Sequence, residues 1–129
     1  MTLPLQDKKM AGIAAEDIGR CAYGIFKAGD KYIGKIVGIA GEHLSGDEYA
    51  QTLSEVLGRN VNYQPLTAAQ FRSLGFPSAE DLGNMFQFYD EFEKPVNSTR
   101  DVKRSRELNP ALQTFAQWAE AHHHLIPLN

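Results

Sequence analysis

The sequence predicts a mixed α/β domain of about five helices and two or three short strands. Three observations predict it. Apolar residues recur at helical spacing in five windows; Ser/Thr-x-x-Glu/Gln pairs at Ser45/Glu48, Thr67/Gln70 and Thr114/Gln117 announce three of the helix starts; and a β-branched run, KIVGIA at 35–40, is too short for a typical helix. A chain of 129 residues with 43% hydrophobic and 22% charged side chains fits one domain with a modest core.

The elements follow in order. Over 15–28, Ile18, Cys21, Ala22, Ile25 and Phe26 recur at helical spacing and Gly29 provides a left-handed stop, so this reads as a helix facing the core. KIVGIA reads as a strand buried on both faces, which requires neighbours. The Ser45/Glu48 capping box opens a helix striped by Tyr49, Leu53, Val56 and Leu57 and ended by Gly58. A second strand is expected over 60–64. Thr67 with Gln70 starts a short helix carrying Phe71 and Leu74, stopped by Gly75 and Pro77.

After Ser78, Glu80 and Asp81 stand against the positive end of a fourth helix, whose stripe is Leu82, Met85, Phe86, Tyr89 and Phe92. The polar stretch 93–110, closed by Asn109-Pro110, is expected to be a long loop. Thr114 with Gln117 then caps a final helix on which Phe115, Trp118, Ala119 and His122 share a face, ending before Pro127.

Composition narrows the function classes. A net charge of -3, from 13 basic and 16 acidic side chains, argues against a dedicated nucleic-acid binder. Cys21 is the only cysteine, so a disulfide framework is excluded and a reducing compartment, cytoplasmic or nuclear, is expected. Asp7, Lys8 and Lys9 interrupt the apolar core that a secretory signal needs, and no stretch approaches membrane-spanning length. No Gly-x-Gly-x-x-Gly phosphate loop follows a strand and opens a helix. Its nearest approach is Gly34, Gly38 and Gly41, which lacks a glycine at the required offset.

Four strings resemble the NmrA-like family of atypical short-chain dehydrogenase/reductase proteins: EDIG at 16–19, KYIGKIVGIAGEHLSGDEYA at 31–50, LGFPSAEDLGNMFQFY at 74–89 and LNPALQTFAQW at 108–118. The block at 74–89 is the most specific. The likeness runs from about Leu3 to Leu125 and matches the C-terminal part of a usual member, which implies the helix-rich, substrate-side lobe of an NAD(P)-binding fold. The resemblance further implies NADP(H) for a full-length member, with the cofactor contacts preceding the matched region; no cofactor-binding residue carries over, and none is assigned to this chain alone. KIVGIA would then be a strand near the edge of a sheet whose principal partner lies elsewhere. That leaves three alternatives open: a truncated product, a subunit completed by association, and a chain settled into a smaller mixed fold.

Several constellations compete with plainer readings. Tyr23 and Lys27 form the Tyr-x-x-x-Lys spacing of short-chain reductases and share a helix face, but without a serine partner or nucleotide loop they read as a surface pair, and no catalytic residue is assigned. His122, His123 and His124 point about 100° apart on a helix, so they read as a solvated helix end, and no metal site is assigned. Met85, Phe88 and Tyr89 are the substrate-pocket candidates, with core packing as the plain alternative. Arg100, Lys103, Arg104 and Arg106 read as a solvated loop cluster, with docking of an acidic partner or a phosphate backbone as the alternative. His43 falls in a strand-to-helix loop and Cys21 in a small core position.

The function expected is regulatory: an NADP-linked redox-sensing or protein-interaction role without autonomous catalysis, with a regulatory protein or a second copy as partner. The alternative is the substrate lobe of an NAD(P)H-dependent quinone or carbonyl reductase completed by another chain or by further N-terminal sequence.

Overall fold

A computed structural model describes residues 1–127. Among these, four short strands and seven α-helices follow in the order β1 (Thr2–Leu3), β2 (Met10–Gly12), α1 (Ala15–Lys27), β3 (Glu42–Leu44), α2 (Gly46–Leu57), β4 (Gln64–Pro65), α3 (Ala68–Arg72), α4 (Ala79–Glu91), α5 (Glu93–Thr99), α6 (Val102–Leu108) and α7 (Phe115–His122). Single 3-10 turns follow α1 at Gly29–Tyr32 and α7 at His123–Leu125. The architecture is mixed α/β, as the sequence predicts, with more and shorter helices.

The chain forms two compact units, each made of two segments: residues 1–10 with 44–96, and residues 11–43 with those from 97 on. In the first, β1 pairs in parallel with β4, Thr2 opposite Gln64 and Leu3 opposite Pro65. All three capping boxes form. In this unit Ser45 and Thr67 each accept from a backbone amide three residues on while Glu48 and Gln70 return the bond, and Gly58 ends α2 with φ at 62°. Packing centres on Leu5, Ala50, Ala79 and Phe86, with Phe71 edge-on to Phe86 at 5.5 Å and to Phe76 at 5.3 Å. Tyr63 lies against Gly46, where a Cβ would collide with its ring, and its hydroxyl faces the carbonyls of Leu3 and Gln6 at 3.0 and 3.2 Å.

In the second unit α1 packs on α6. Gly24 permits the approach, because a Cβ there would meet the carbonyl of Leu108. The buried groups are Cys21, Ala40, Leu112 and Ala119 together with the polar Asp17, Ser105 and Asn109. The third capping box, Thr114 with Gln117, starts α7.

Three expectations are corrected. First, KIVGIA is not a strand: only Gly38 makes a bridge, parallel to Arg100, and Ile36 is 100% exposed. A β-branched run without a neighbouring ladder has nothing to hold it extended. Second, the stretch 93–110 is not a loop but carries α5 and α6. Asp101 caps the latter by accepting from the Lys103 amide, and the buried Ser105 anchors it by accepting from the Ala40 amide at 2.9 Å. Third, α1 is rotated from the predicted face, with Cys21 inside as expected and Ile25 half-buried. Asp17 and Cys21 are buried, whereas Ile18, Ala22 and Phe26 are exposed, Phe26 by 80%. The carboxylate goes inward because α6 and the segment after it supply its hydrogen-bond donors.

Candidate functional site

The most organised polar cluster lies in the second unit around Asp17. It sits in the first turn of α1 with its side chain fully buried. Oδ1 accepts from Asn109 Nδ2 at 2.9 Å and from Arg20 Nη1 at 2.9 Å; Oδ2 accepts from the Gln113 amide at 2.9 Å and its side-chain Nε2 at 3.3 Å. Burial opposes ionisation here, but the Gln113 amide, the Arg20 guanidinium and the Asn109 and Gln113 side chains outweigh it and hold the carboxyl below the usual aspartate range. Every acceptor position of the carboxylate faces a donor already in the protein. Asp17 is therefore a structural knot that ties α1 to 109–113, and nothing in it is poised for proton transfer.

Beside the knot, Arg106, Pro110, Gln113, Gln117 and Glu120 border a shallow, open hollow of about 500 Å3. Arg106 is held by donating to the Leu112 carbonyl at 3.2 Å. Cys21, one turn along α1, is buried, and its thiol donates to the Ser105 carbonyl at 3.7 Å. Burial first and the Asp17 charge second push that thiol up, so it is a core group and not a nucleophile.

The remaining candidates fall in separate places. Tyr23 is 64% exposed, and Lys27 Nζ lies 5.7 Å from the centroid of its ring. His122 stacks on Trp118 at 4.7 Å, with Nδ1 2.7 Å from the Trp118 carbonyl and Nε2 3.9 Å from Glu16, while His123 Nδ1 meets the Glu120 carbonyl. His122 and His123 are each directed to a backbone carbonyl of α7, and His124 meets His123 edge-on at 5.9 Å. His43 lies on β3, with Nε2 2.8 Å from the Arg100 carbonyl, and not in the expected loop. Lys103, Arg104 and Arg106 ride on α6, with Arg100 just before it.

In the first unit Met85, Phe88 and Tyr89 lie on α4. Phe88 is 50% exposed and stands between two rings, Phe92 at 5.0 Å and Tyr89 at 6.0 Å, while Phe86 on the other side of the helix is buried against Phe71. The helix thus separates its aromatic residues into a packed side and an outward one. Asp17, Ser105, Asn109 and Gln113, which organise the second unit, were not singled out by sequence reasoning. Their only legible signal was the pairing of EDIG with LNPALQ as two strings of one resemblance.

A family profile described as the NmrA-like family matches residues 1–119. The chain belongs to the NmrA-like family. A rat relative, NmrA-like family domain-containing protein 1, is 34% identical over 90 residues, an overlap that takes in 65% of this chain and 54% of the rat protein. This NmrA-like chain thus spans about half the length of that relative. Among solved structures, the negative transcriptional regulator Nmra superposes with a TM-score of 0.71 at 22% identity over 92% of this chain and 41% of its own. The triphenylmethane reductase of Citrobacter sp., in complex with NADP(H), reaches 0.74 at 16% identity over 94% of this chain and 43% of its own. The shared fold is the NmrA and short-chain-reductase type.

That fold family implies a dinucleotide, and the glycine-bearing segment of this chain does not fit one. A phosphate loop offers free amides and an open approach to backbone. Here the Gly41 amide donates to the Gly12 carbonyl at 2.7 Å and the Ala40 amide to Ser105 Oγ. A Cβ at Gly38 would collide with the Thr99 carbonyl, so that glycine serves backbone packing.

Proposed function

We propose that this chain is the substrate-side half of an NmrA-like protein and serves as an interaction module in NADP-linked regulation, with no hydride chemistry of its own. The observation that carries the reading is the internal use of the Ala40 and Gly41 amides and the backbone packing at Gly38, described above, which leaves this segment unsuited to a pyrophosphate. Support also comes from Tyr23 and Lys27, which meet as ring and cation on an exposed helix surface instead of lining a cleft. The membership of a negative transcriptional regulator among the fold neighbours supports the regulatory class. The test is isothermal titration of the purified chain with NADPH. No stoichiometric heat is expected, and one-to-one binding in the micromolar range overturns the reading.

A second reading is favoured by one feature, the outward aromatic edge of Met85, Phe88 and Tyr89. The mutually tilted rings of Phe88, Tyr89 and Phe92, of which Phe88 and Phe92 are about half exposed, can form one wall of a pocket for a flat apolar substrate, as in a quinone or dye reductase whose nucleotide lobe is supplied elsewhere. Fluorescence titration with menadione separates the two. Saturable binding abolished by Phe88→Ala favours the substrate wall, and its absence favours the interaction module.

A further inference from the structure

We propose that the hollow beside the Asp17 knot is a binding site for a small aminocarboxylic zwitterion, whose carboxylate meets Arg106 and whose ammonium meets Glu120. Both residues border the hollow, whose volume of about 500 Å3 suits a small molecule. They carry opposite charge and yet form no ion pair with each other. Arg106 spends one donor, Nη1, on the Leu112 carbonyl at 3.2 Å, which steadies the side chain and leaves the rest of its guanidinium fork for a ligand. Among the described residues the Glu120 carboxylate has no hydrogen-bond or ion-pair partner. An unengaged cation and an unengaged anion around one concavity match a ligand that carries both charges. A simple anion would gain Arg106 but meet repulsion from Glu120, and a simple cation the reverse.

Two amides add polar groups of fixed sense. Gln117 Oε1 accepts from the Thr114 amide at 2.9 Å, so its NH2 group is the free end; Gln113 Nε2 donates to Asp17 Oδ2 at 3.3 Å, so its carbonyl is the free end. The lining thus adds one donor for a carboxylate and one acceptor for an ammonium. Because these bonds already hold both side chains, a ligand does not have to order them. The lining also differs from a surface built to be covered by more protein. Among the described residues no large exposed apolar side chain belongs to it, and a covering lobe would have to desolvate Arg106 and Glu120 together. A small ligand at an open rim leaves both partly hydrated. The proposal does not rest on the regulatory reading, which is tested by NADPH binding and not by this site.

The test is titration of the full chain, labelled with nitrogen-15, with glycine, 4-aminobutyrate and 6-aminohexanoate, each compared with the carboxylate and the amine of the same chain length. The series spaces the two charges progressively farther apart. At one length or more, saturable binding with a Kd of about 1 mM is expected, about tenfold tighter than for either singly charged analogue, with amide shifts confined to 106–121. Glu120→Gln should reduce the zwitterion to the level of the carboxylate alone, and Arg106→Gln should weaken both. Glu120 is exposed, so its variant keeps the test decisive even if Arg106→Gln lowers the urea midpoint. Zwitterions that bind no better than their analogues at every length overturn the proposal, as do shifts centred outside 106–121 or an affinity unchanged in Glu120→Gln.

Discussion

Asn109 donates to Asp17 Oδ1 at 2.9 Å across 92 positions of sequence, with both side chains buried. This bond and its neighbours close the second unit. A buried acceptor deprived of its donor keeps its desolvation penalty, so Asn109→Ala is expected to destabilise by about 1–3 kcal/mol. Asp17→Ala should cost more, because it strands the Gln113 amide and the Asn109 side chain together. Urea midpoints at unchanged slope measure both.

The same carboxylate makes stability depend on acidity. Its pKa is lower folded than unfolded, so its contribution is complete above the ordinary aspartate value of about 3.9 and disappears as pH falls below that value. Asp17→Asn is expected to lower stability at neutral pH and to flatten the acid limb below about pH 4. Thermal melts of both proteins between neutral and acid pH would show parallel curves if Asp17 were unimportant.

Cys21 should resist alkylation in the folded protein. Burial and the nearby Asp17 charge keep it protonated, and only the thiolate reacts. Modification by iodoacetamide, followed by intact mass, is expected to require unfolding and to accelerate sharply through the urea transition. Rapid labelling in native buffer would contradict the packing of α1 on α6.

Two glycines of α1 should respond oppositely to alanine. At Gly24 a Cβ meets the Leu108 backbone, which cannot swing away, so Gly24→Ala is expected to destabilise by about 1–3 kcal/mol. At Gly19 a Cβ meets no atom within 4 Å, so Gly19→Ala should stabilise by about 0.5–1 kcal/mol through helix propensity alone. Denaturation at low protein concentration compares the two.

Removing the Tyr63 hydroxyl isolates a smaller effect. Its bonds to the Leu3 and Gln6 carbonyls tie 1–6 to the segment carrying β4, and Tyr63→Phe is expected to cost about 1 kcal/mol while leaving the ring packed on Gly46. Hydrogen exchange at Gln64 and Leu66, whose amides donate to Met1 and Leu3, should rise selectively.

What was legible in the sequence was what local chemistry decides. The three capping boxes appear where Ser45, Thr67 and Thr114 announce them, because cap and partner are three residues apart and need nothing else. The fold family was legible through the 74–89 string. The direction of α1 was not, since periodicity reveals a stripe but not what faces it, and the donors that draw Asp17 inward come from 92 and 96 positions away. Helix α6 was hidden for a similar reason: its polar composition reads as loop until Ser105 finds the Ala40 amide. The outward aromatic edge at Phe88 was visible as a residue off the main stripe, and its substrate role is left to the titration above.

Each unit takes its chain from two separate stretches, so neither can be excised as one continuous fragment. On the ribosome, residues 11–43 emerge before the second stretch of the first unit, which is complete by residue 96. Only with the emergence of 109–113 does Asp17 meet its donors. Vectorial synthesis therefore imposes an order in which the second unit closes last, around a loop whose entropy grows only slowly with its length.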